Sequence, residues 1–164
     1  MKFLLINSLI VLAFLSSLVI AQEQRLMWKK LVEKKGVMYA SNQKKPYTGR
    51  VFDNYRNKGR KLTGAFRSGK KHGDWTYWNE NGKIEKEESY LQGAKNGDWI
   101  YYDDNGKKIK LEKYNKGKTT GAKIYYYDNG KKEREEFHLK ELRDGKWTSW
   151  YNSGKKEREE FYKK

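Results

Sequence analysis

The chain has 164 residues and a formal net charge of +16, with 35% charged and 15% aromatic residues. That density of rings excludes a disordered polyelectrolyte, which would be poor in them. The absence of cysteine excludes disulfide stapling and a cysteine-linked lipid anchor, so the fold must be held by packing alone.

Met1 to Ala21 differs from everything after it. Lys2 is its only charge before Glu23, Phe3 to Ile20 is mostly Leu, Ile, Val, Ala and Phe, and Val19-Ile20-Ala21 offers a small-residue cleavage site before Gln22. The pattern predicts a secretory signal peptide over 1–21 and export to the periplasm, the cell envelope or the medium. The alternative is an uncleaved N-terminal membrane anchor, since about 18 apolar residues can just span a bilayer. Residues 22–46 form a separate N-terminal segment. Within it, Arg25 to Lys34 has no clean apolar stripe and reads as a helical turn or two, and Gly36 to Tyr39 reads as a short strand. This segment is expected to cap the open edge of the sheet formed by the rest of the chain, because unpaired edge groups invite aggregation.

From Tyr47 to Lys164 the chain repeats itself. His72 to Lys83 reads HGDWTYWNENGK, Asn96 to Lys107 reads NGDWIYYDDNGK, Thr120 to Lys131 reads TGAKIYYYDNGK, and Asp144 to Lys155 reads DGKWTSWYNSGK. Gly73, Gly97, Gly121 and Gly145 are spaced by 24 residues, and Gly49 opens a degenerate earlier copy with Val51, Phe52 and Tyr55. A fixed period of this size marks stacked supersecondary units. Trp75-Thr76-Tyr77-Trp78 is aromatic and β-branched, which favours a strand. Asn81-Gly82, Asn105-Gly106, Asn129-Gly130 and the weaker Ser153-Gly154 supply residues that tolerate positive φ. Second strands follow at Ile84–Tyr90, Lys108–Tyr114, Lys132–Phe137 and Lys156–Tyr162. The fold class is therefore all-β: a single-layer antiparallel meander of about five β-hairpins.

Alternation puts Trp75, Trp99 and Trp147 on one face with Tyr77, Tyr101 and Tyr125. The other face receives Thr76, Ile100, Ile124 and Thr148, then Trp78, Tyr102, Tyr126 and Trp150. Long Lys, Arg and Glu stems between the rings can lie along them with their heads in water.

These units, with Pro46-Tyr47-Thr48-Gly49 ahead of them and Tyr114-Asn115-Lys116-Gly117-Lys118 between them, resemble the bacterial MORN-repeat variant of the YwqK-family antitoxin-like proteins. The likeness covers Tyr47 to Lys164. It departs at Lys123, where Trp is expected, at Ser149, where Tyr is expected, and at Leu139 to Arg143, which lacks the glycine of Gly69, Gly93 and Gly117. The resemblance implies a repeat β-sheet used for binding, without enzyme chemistry, and an antitoxin-like role that an exported chain suits poorly.

No catalytic, metal or cofactor constellation emerges. His72 stands where Asn96, Thr120 and Asp144 stand in the other units, which makes it a polar turn residue, and neither it nor His138 has a metal-ligand spacing. Glu85-Glu87-Glu88, Glu133-Glu135-Glu136 and Glu157-Glu159-Glu160 recur among Lys86, Arg134 and Arg158. That suits cross-strand ion pairs on a wet face better than a glycosidase pair. Two features remain as a possible ligand surface: the rings Trp78, Tyr102, Tyr126 and Trp150, and the lysines Lys83, Lys107, Lys131 and Lys155 directly after the turn glycines. The rings could be the packing ladder of the repeat or a stacking surface for sugars. The lysines could be a solvated rim or an attraction for polyanions. Basic residues among rings also suit single-stranded nucleic acid, which export argues against. The expected function is an exported, non-enzymatic protein-interaction or assembly scaffold. The alternative is an envelope module for anionic lipid or polysaccharide with peripheral membrane contact.

Overall fold

The structure is a computed structural model that describes residues 25–139 and 142–163; the signal-peptide reading of 1–21 lies outside them. In chain order the elements are β1 (Arg25–Met27), a 3-10 turn (Trp28–Lys30), β2 (Leu31–Lys34), β3 (Val37–Ala40), β4 (Gly49–Asn54), β5 (Arg60–Arg67), β6 (Lys70–Lys71), β7 (Gly73–Trp78) and β8 (Ile84–Leu91). The chain continues with β9 (Ala94–Lys95), β10 (Gly97–Tyr102), β11 (Lys108–Asn115), β12 (Lys118–Thr119), β13 (Ala122–Tyr126), β14 (Lys132–Leu139), β15 (Leu142–Trp150) and β16 (Lys156–Tyr162). Five hairpins, β4–β5, β7–β8, β10–β11, β13–β14 and β15–β16, follow one another along one 14-stranded sheet. The all-β single-layer meander holds, with one difference: β1 pairs with β4 in parallel, so the sheet is mixed at that end. The residues read as helical form β1, the 3-10 turn and β2, because the lack of an apolar stripe leaves a longer helix nothing to bury. The strand at the sheet edge is β1, while β3 pairs with β2 in a separate two-stranded ribbon.

Two kinds of turn alternate. At Asn79 to Lys83 the amide of Gly82 donates to the carbonyl of Asn79 at 3.0 Å, and the amide of Asn79 to that of Lys83 at 2.9 Å. Only the glycine has positive φ, +78° at Gly82, so Asn81 does not use its tolerance for that region. This is a short loop closed by a left-handed glycine, and the register shifts by one between Tyr77 and Trp78 to absorb it. Turns with two consecutive positive-φ residues lie at Lys35-Gly36 in the two-stranded ribbon and, in the large sheet, at the opposite ends of the strands, at Ser68-Gly69, Gln92-Gly93 and Lys116-Gly117. There β6, β9 and β12 fold back on β5, β8 and β11. Between the last two hairpins β14 and β15 pair directly out to Leu139 and Leu142, with no counterpart of β6, β9 and β12 among the described residues.

The apolar core sits at the N-terminal end. Met38, Ala40, Tyr47, Val51, Leu62, Phe66 and Trp75 are buried together, with Leu26, Trp28 and Leu31 packed against them. Trp28 stands edge-on to Trp75 at 6.1 Å between centroids, so the N-terminal segment covers the tryptophan face at the first units. Gly64 makes this possible, since a Cβ there would lie 2.2 Å from the Trp75 ring. Beyond that point the tryptophan face has no second layer among the described residues.

Candidate functional site

Where the covering segment stops, the tryptophan face is built from rings, cations and carboxylates. Across the β7–β8 hairpin, Trp75 faces Glu88 and Tyr77 faces Lys86; across β10–β11, Trp99 faces Glu112 and Tyr101 faces Lys110. The same pattern puts Lys123 opposite Glu136 and Tyr125 opposite Arg134, then Trp147 opposite Glu160 and Ser149 opposite Arg158. Between hairpins Lys86 meets Tyr101, Lys110 meets Tyr125, and Arg134 meets Ser149. Two rows therefore run across the strands: one alternates tyrosine with a cation, and the other alternates tryptophan with glutamate.

The glutamate row corrects the wet-face reading of the acidic clusters. Glu88, Glu112 and Glu136 are buried beneath the rings. A buried carboxylate is costly unless it is paired; Arg134 pairs with Glu136, and Glu88 and Glu112 are both paired and hydrogen-bonded. Glu88 takes an ion pair from Lys86 at 2.6 Å and one from Lys71 at 3.7 Å, and Tyr90 donates to it at 2.9 Å. Glu112 has Lys110 at 2.8 Å, Lys123 at 3.9 Å and the Tyr114 hydroxyl at 3.1 Å. Burial alone pushes both carboxyls up, but these hydrogen bonds and positive charges outweigh it and hold both below the usual range. The signal was present in the sequence: counting outward from Asn81-Gly82 already sets Trp75 against Glu88.

The cations also lie over the rings. Lys71 sits 4.4 Å from the Trp75 centroid and 4.7 Å from that of Tyr90. Lys95 sits 4.1 Å from Trp99 and 4.6 Å from Tyr114, and the Arg143 guanidinium 4.4 Å from Trp147. Burial, opposed by Glu88, lowers the Lys71 pKa. Burial and then the neighbouring carboxylate raise Tyr77 and Tyr90 well above the ordinary phenol range and push Tyr101 up to about 12. The third unit carries two linked departures. Thr119 replaces the cation found at Lys71 and Lys95, and Lys123 replaces the tryptophan, its amine reaching back to Glu112.

The opposite face holds the rings singled out from the sequence. Trp78, Tyr102, Tyr126 and Trp150 are each half-buried, and they form one row at alternate strands. A basic side chain from the preceding hairpin covers three of them: Arg60 over Trp78 at 5.1 Å, Lys108 over Tyr126 at 5.9 Å, and Lys132 over Trp150 at 5.6 Å. At the fourth, the Tyr102 hydroxyl donates to Glu87 at 2.7 Å, and burial with that carboxylate pushes Tyr102 up to about 12. The rings are thus part of the packing ladder and still leave an accessible surface. On the same face Phe137 and Phe161, one repeat apart, are 38% and 74% exposed.

Lys83, Lys107, Lys131 and Lys155 are all exposed at the hairpin tips. They lean along the row of turns: the Lys83 stem lies by Gly106, and the Lys131 stem by Gly154 with its amine donating to the Ser153 carbonyl at 2.6 Å. Part of this rim is thereby tied to the neighbouring turn. His72 Nδ1 accepts the Gln92 amide at 3.4 Å, as Asn96 Oδ1 accepts that of Lys116, in keeping with a polar turn residue. Among the described residues no group of three His, Cys, Asp or Glu side chains could hold a metal ion.

Comparison with known proteins agrees with this repeat. The profile described as a MORN repeat variant matches residues 71–92, 95–116, 119–140 and 143–164, one match for each of the last four hairpins. No curated protein matches the chain. Among solved structures, the chain superposes on part of one described as "Crystal structure of GtfA/B complex bound to UDP and GlcNAc", with 10% identity and a TM-score of 0.28. The superposition covers 81% of this chain and 23% of that one, and it carries no argument about function.

Proposed function

The chain belongs to the MORN repeat variant family, and on that premise we propose that it is an exported, non-enzymatic scaffold that binds a partner protein along the sheet face opposite Trp75, Trp99 and Trp147. One observation supports this most. That face presents Trp78, Ile100, Tyr102, Ile124, Tyr126 and Trp150 in half-exposed rows, continued by exposed Phe137 and Phe161, and strand contacts run between sheet neighbours with no second layer laid over it among the described residues. A broad aromatic surface left uncovered in this way suits a protein interface, where rings are enriched. The test is capture from an envelope fraction by full-length protein, comparing wild type with Tyr126→Asp/Trp150→Asp. A partner retained by wild type in high salt and lost by the variant is expected; equal retention by both would refute the assignment of this face.

The exposed lysine row favours a second reading, an envelope module for anionic lipid or polysaccharide. Neighbouring lysines stand roughly 9.6 Å apart at two strand spacings, close to the screening length of about 8 Å at physiological ionic strength. Such a row acts collectively on an extended polyanion and is weakened by salt. Changing Lys83, Lys107, Lys131 and Lys155 together to Gln should reduce retention on anionic vesicles and flatten its salt dependence. Wild-type protein with no affinity for such vesicles at low salt would remove this reading. The antitoxin-like role implied by the resemblance is third, and full-length protein in the cytoplasm would favour it.

A further inference from the structure

The tyrosine-cation row on the tryptophan face has one missing ring. It runs Tyr77, Lys86, Tyr101, Lys110, Tyr125, Arg134, Ser149, Arg158, strand by strand. Each tyrosine before the gap lies beside a cation: Lys86 is 4.5 Å from the Tyr77 centroid, Lys110 is 5.1 Å from Tyr101 and 5.6 Å from Tyr125, and Arg134 is 4.4 Å from Tyr125. At Ser149 the ring is absent, and a cleft of about 310 Å³ opens there, lined among others by Arg134, Arg143, Trp147, Ser149, Arg158 and Tyr162.

Other departures from the repeat coincide at the same place. The cations that are Lys86 and Lys110 earlier in the row are Arg134 and Arg158 on either side of the gap, and the one that is Lys71 or Lys95 over the earlier tryptophans is Arg143. Guanidinium differs from ammonium in two relevant ways. Its plane stacks on aromatic faces, and its donors form a fork that matches carboxylate and phosphate oxygens. Arg134 and Arg158 each hold a carboxylate, Glu136 and Glu160, through part of that fork. Arg143 makes no ion pair with any described residue; it lies over Trp147 and donates to the Tyr162 hydroxyl at 3.3 Å. Three arginines against two glutamates leave the cleft one positive charge in excess.

We propose that Arg134, Ser149 and Arg158 form a slot for an aromatic ring carrying an anionic substituent. The ring enters between the two guanidiniums as that of Tyr125 lies between Lys110 and Arg134, and the substituent is neutralised by the arginines lining the cleft. The slot is on the opposite face from the scaffold surface, so it does not rest on the scaffold reading. Phenyl phosphate is the probe, with phenol and inorganic phosphate as the ring-only and anion-only arms, titrated calorimetrically into the full chain. Wild type should bind phenyl phosphate saturably and hold it about tenfold or more tighter than either fragment, since hydrogen bonds to charged groups and the stacking each contribute at this scale.

Ser149→Tyr supplies the missing ring from within, so it should keep the fold and lose phenyl phosphate. Arg158→Gln, at a side chain that is 70% exposed, should weaken phenyl phosphate by about tenfold. Absence of saturable binding to wild type, equal binding by Ser149→Tyr, or phosphate binding as tightly as phenyl phosphate would each overturn the proposal. If Ser149→Tyr fails to fold, unchanged affinity in Arg158→Gln overturns it instead.

Discussion

Replacing Trp99 by alanine measures what the ladder contributes to stability. The indole is 5% exposed, lies 5.2 Å from Tyr90 and 5.4 Å from Tyr114, carries the Lys95 amine on its face, and donates from Nε1 to the Ser89 carbonyl at 3.0 Å. Deleting a large buried ring costs about 3 to 5 kcal/mol, and the lost hydrogen bond about 1 kcal/mol within that range. Trp147 makes similar contacts, with His138 at 5.2 Å, Tyr162 at 5.0 Å and a hydrogen bond to the Phe137 carbonyl, but it is only half-buried. Its burial term is smaller, so Trp147→Ala should cost about half as much, or roughly 2 kcal/mol. Urea unfolding followed by far-UV circular dichroism reads both. Equal shifts of the midpoint would refute the argument that an internal unit has more to lose than one with fewer neighbours.

Gly64→Ala should be far more damaging than Gly97→Ala. The first drives a methyl into the Trp75 ring within the core, whereas the second meets nothing closer than 3.5 Å and bears only the left-handed backbone at φ +73°, a cost of roughly 1 to 2 kcal/mol; thermal melts that rank them the other way would contradict the packing of Trp75. Stability should fall as pH drops below about 4.5, because the folded-state pKa values of Glu88 and Glu112 lie below that unfolded value and protonation removes their pairing. It should also fall above about pH 10, where tyrosines ionise in the unfolded chain while Tyr101 and Tyr102 resist until about 12. Lys71, with its lowered pKa, acts in the opposite sense just below 10.5, and a urea midpoint that stays flat from pH 3 to 11 would exclude both limbs. Mass spectrometry of envelope or secreted protein should find Gln22 as the first residue if the export reading holds, and intact Met1 in that fraction would replace it with the anchored alternative.

The sequence by itself determined the repeat, the hairpins and the face of each tryptophan within the repeats. All three depend on local chemistry: a strand alternates its side chains, and a short loop ending in glycine sets the register of the two strands beside it. That is why Trp75 opposite Glu88 was already countable from Asn81-Gly82. That Glu88 is buried was not, because its burial depends on Lys71 from the preceding hairpin connection and on the rings packed around it.

The register between hairpins belongs to the tertiary structure. Counting out from the tight turn at Gln92-Gly93, where Leu91 pairs with Ala94, would set Lys86 against Trp99; the irregularity at Asn96-Gly97 moves the pairing by two, and Lys86 meets Tyr101. A shift of two keeps every residue on its face, so the periodicity of the sequence cannot reveal it, yet it decides that the two rows continue from one hairpin to the next, with the cation of one hairpin beside the tyrosine of the following one. The same shift sets Arg134 against Ser149 and turns an ordinary substitution into a cleft between two guanidiniums. The parallel pairing of β1 and the folding of Trp28 over Trp75 are likewise tertiary. Neither repeats, so nothing elsewhere in the chain could announce them.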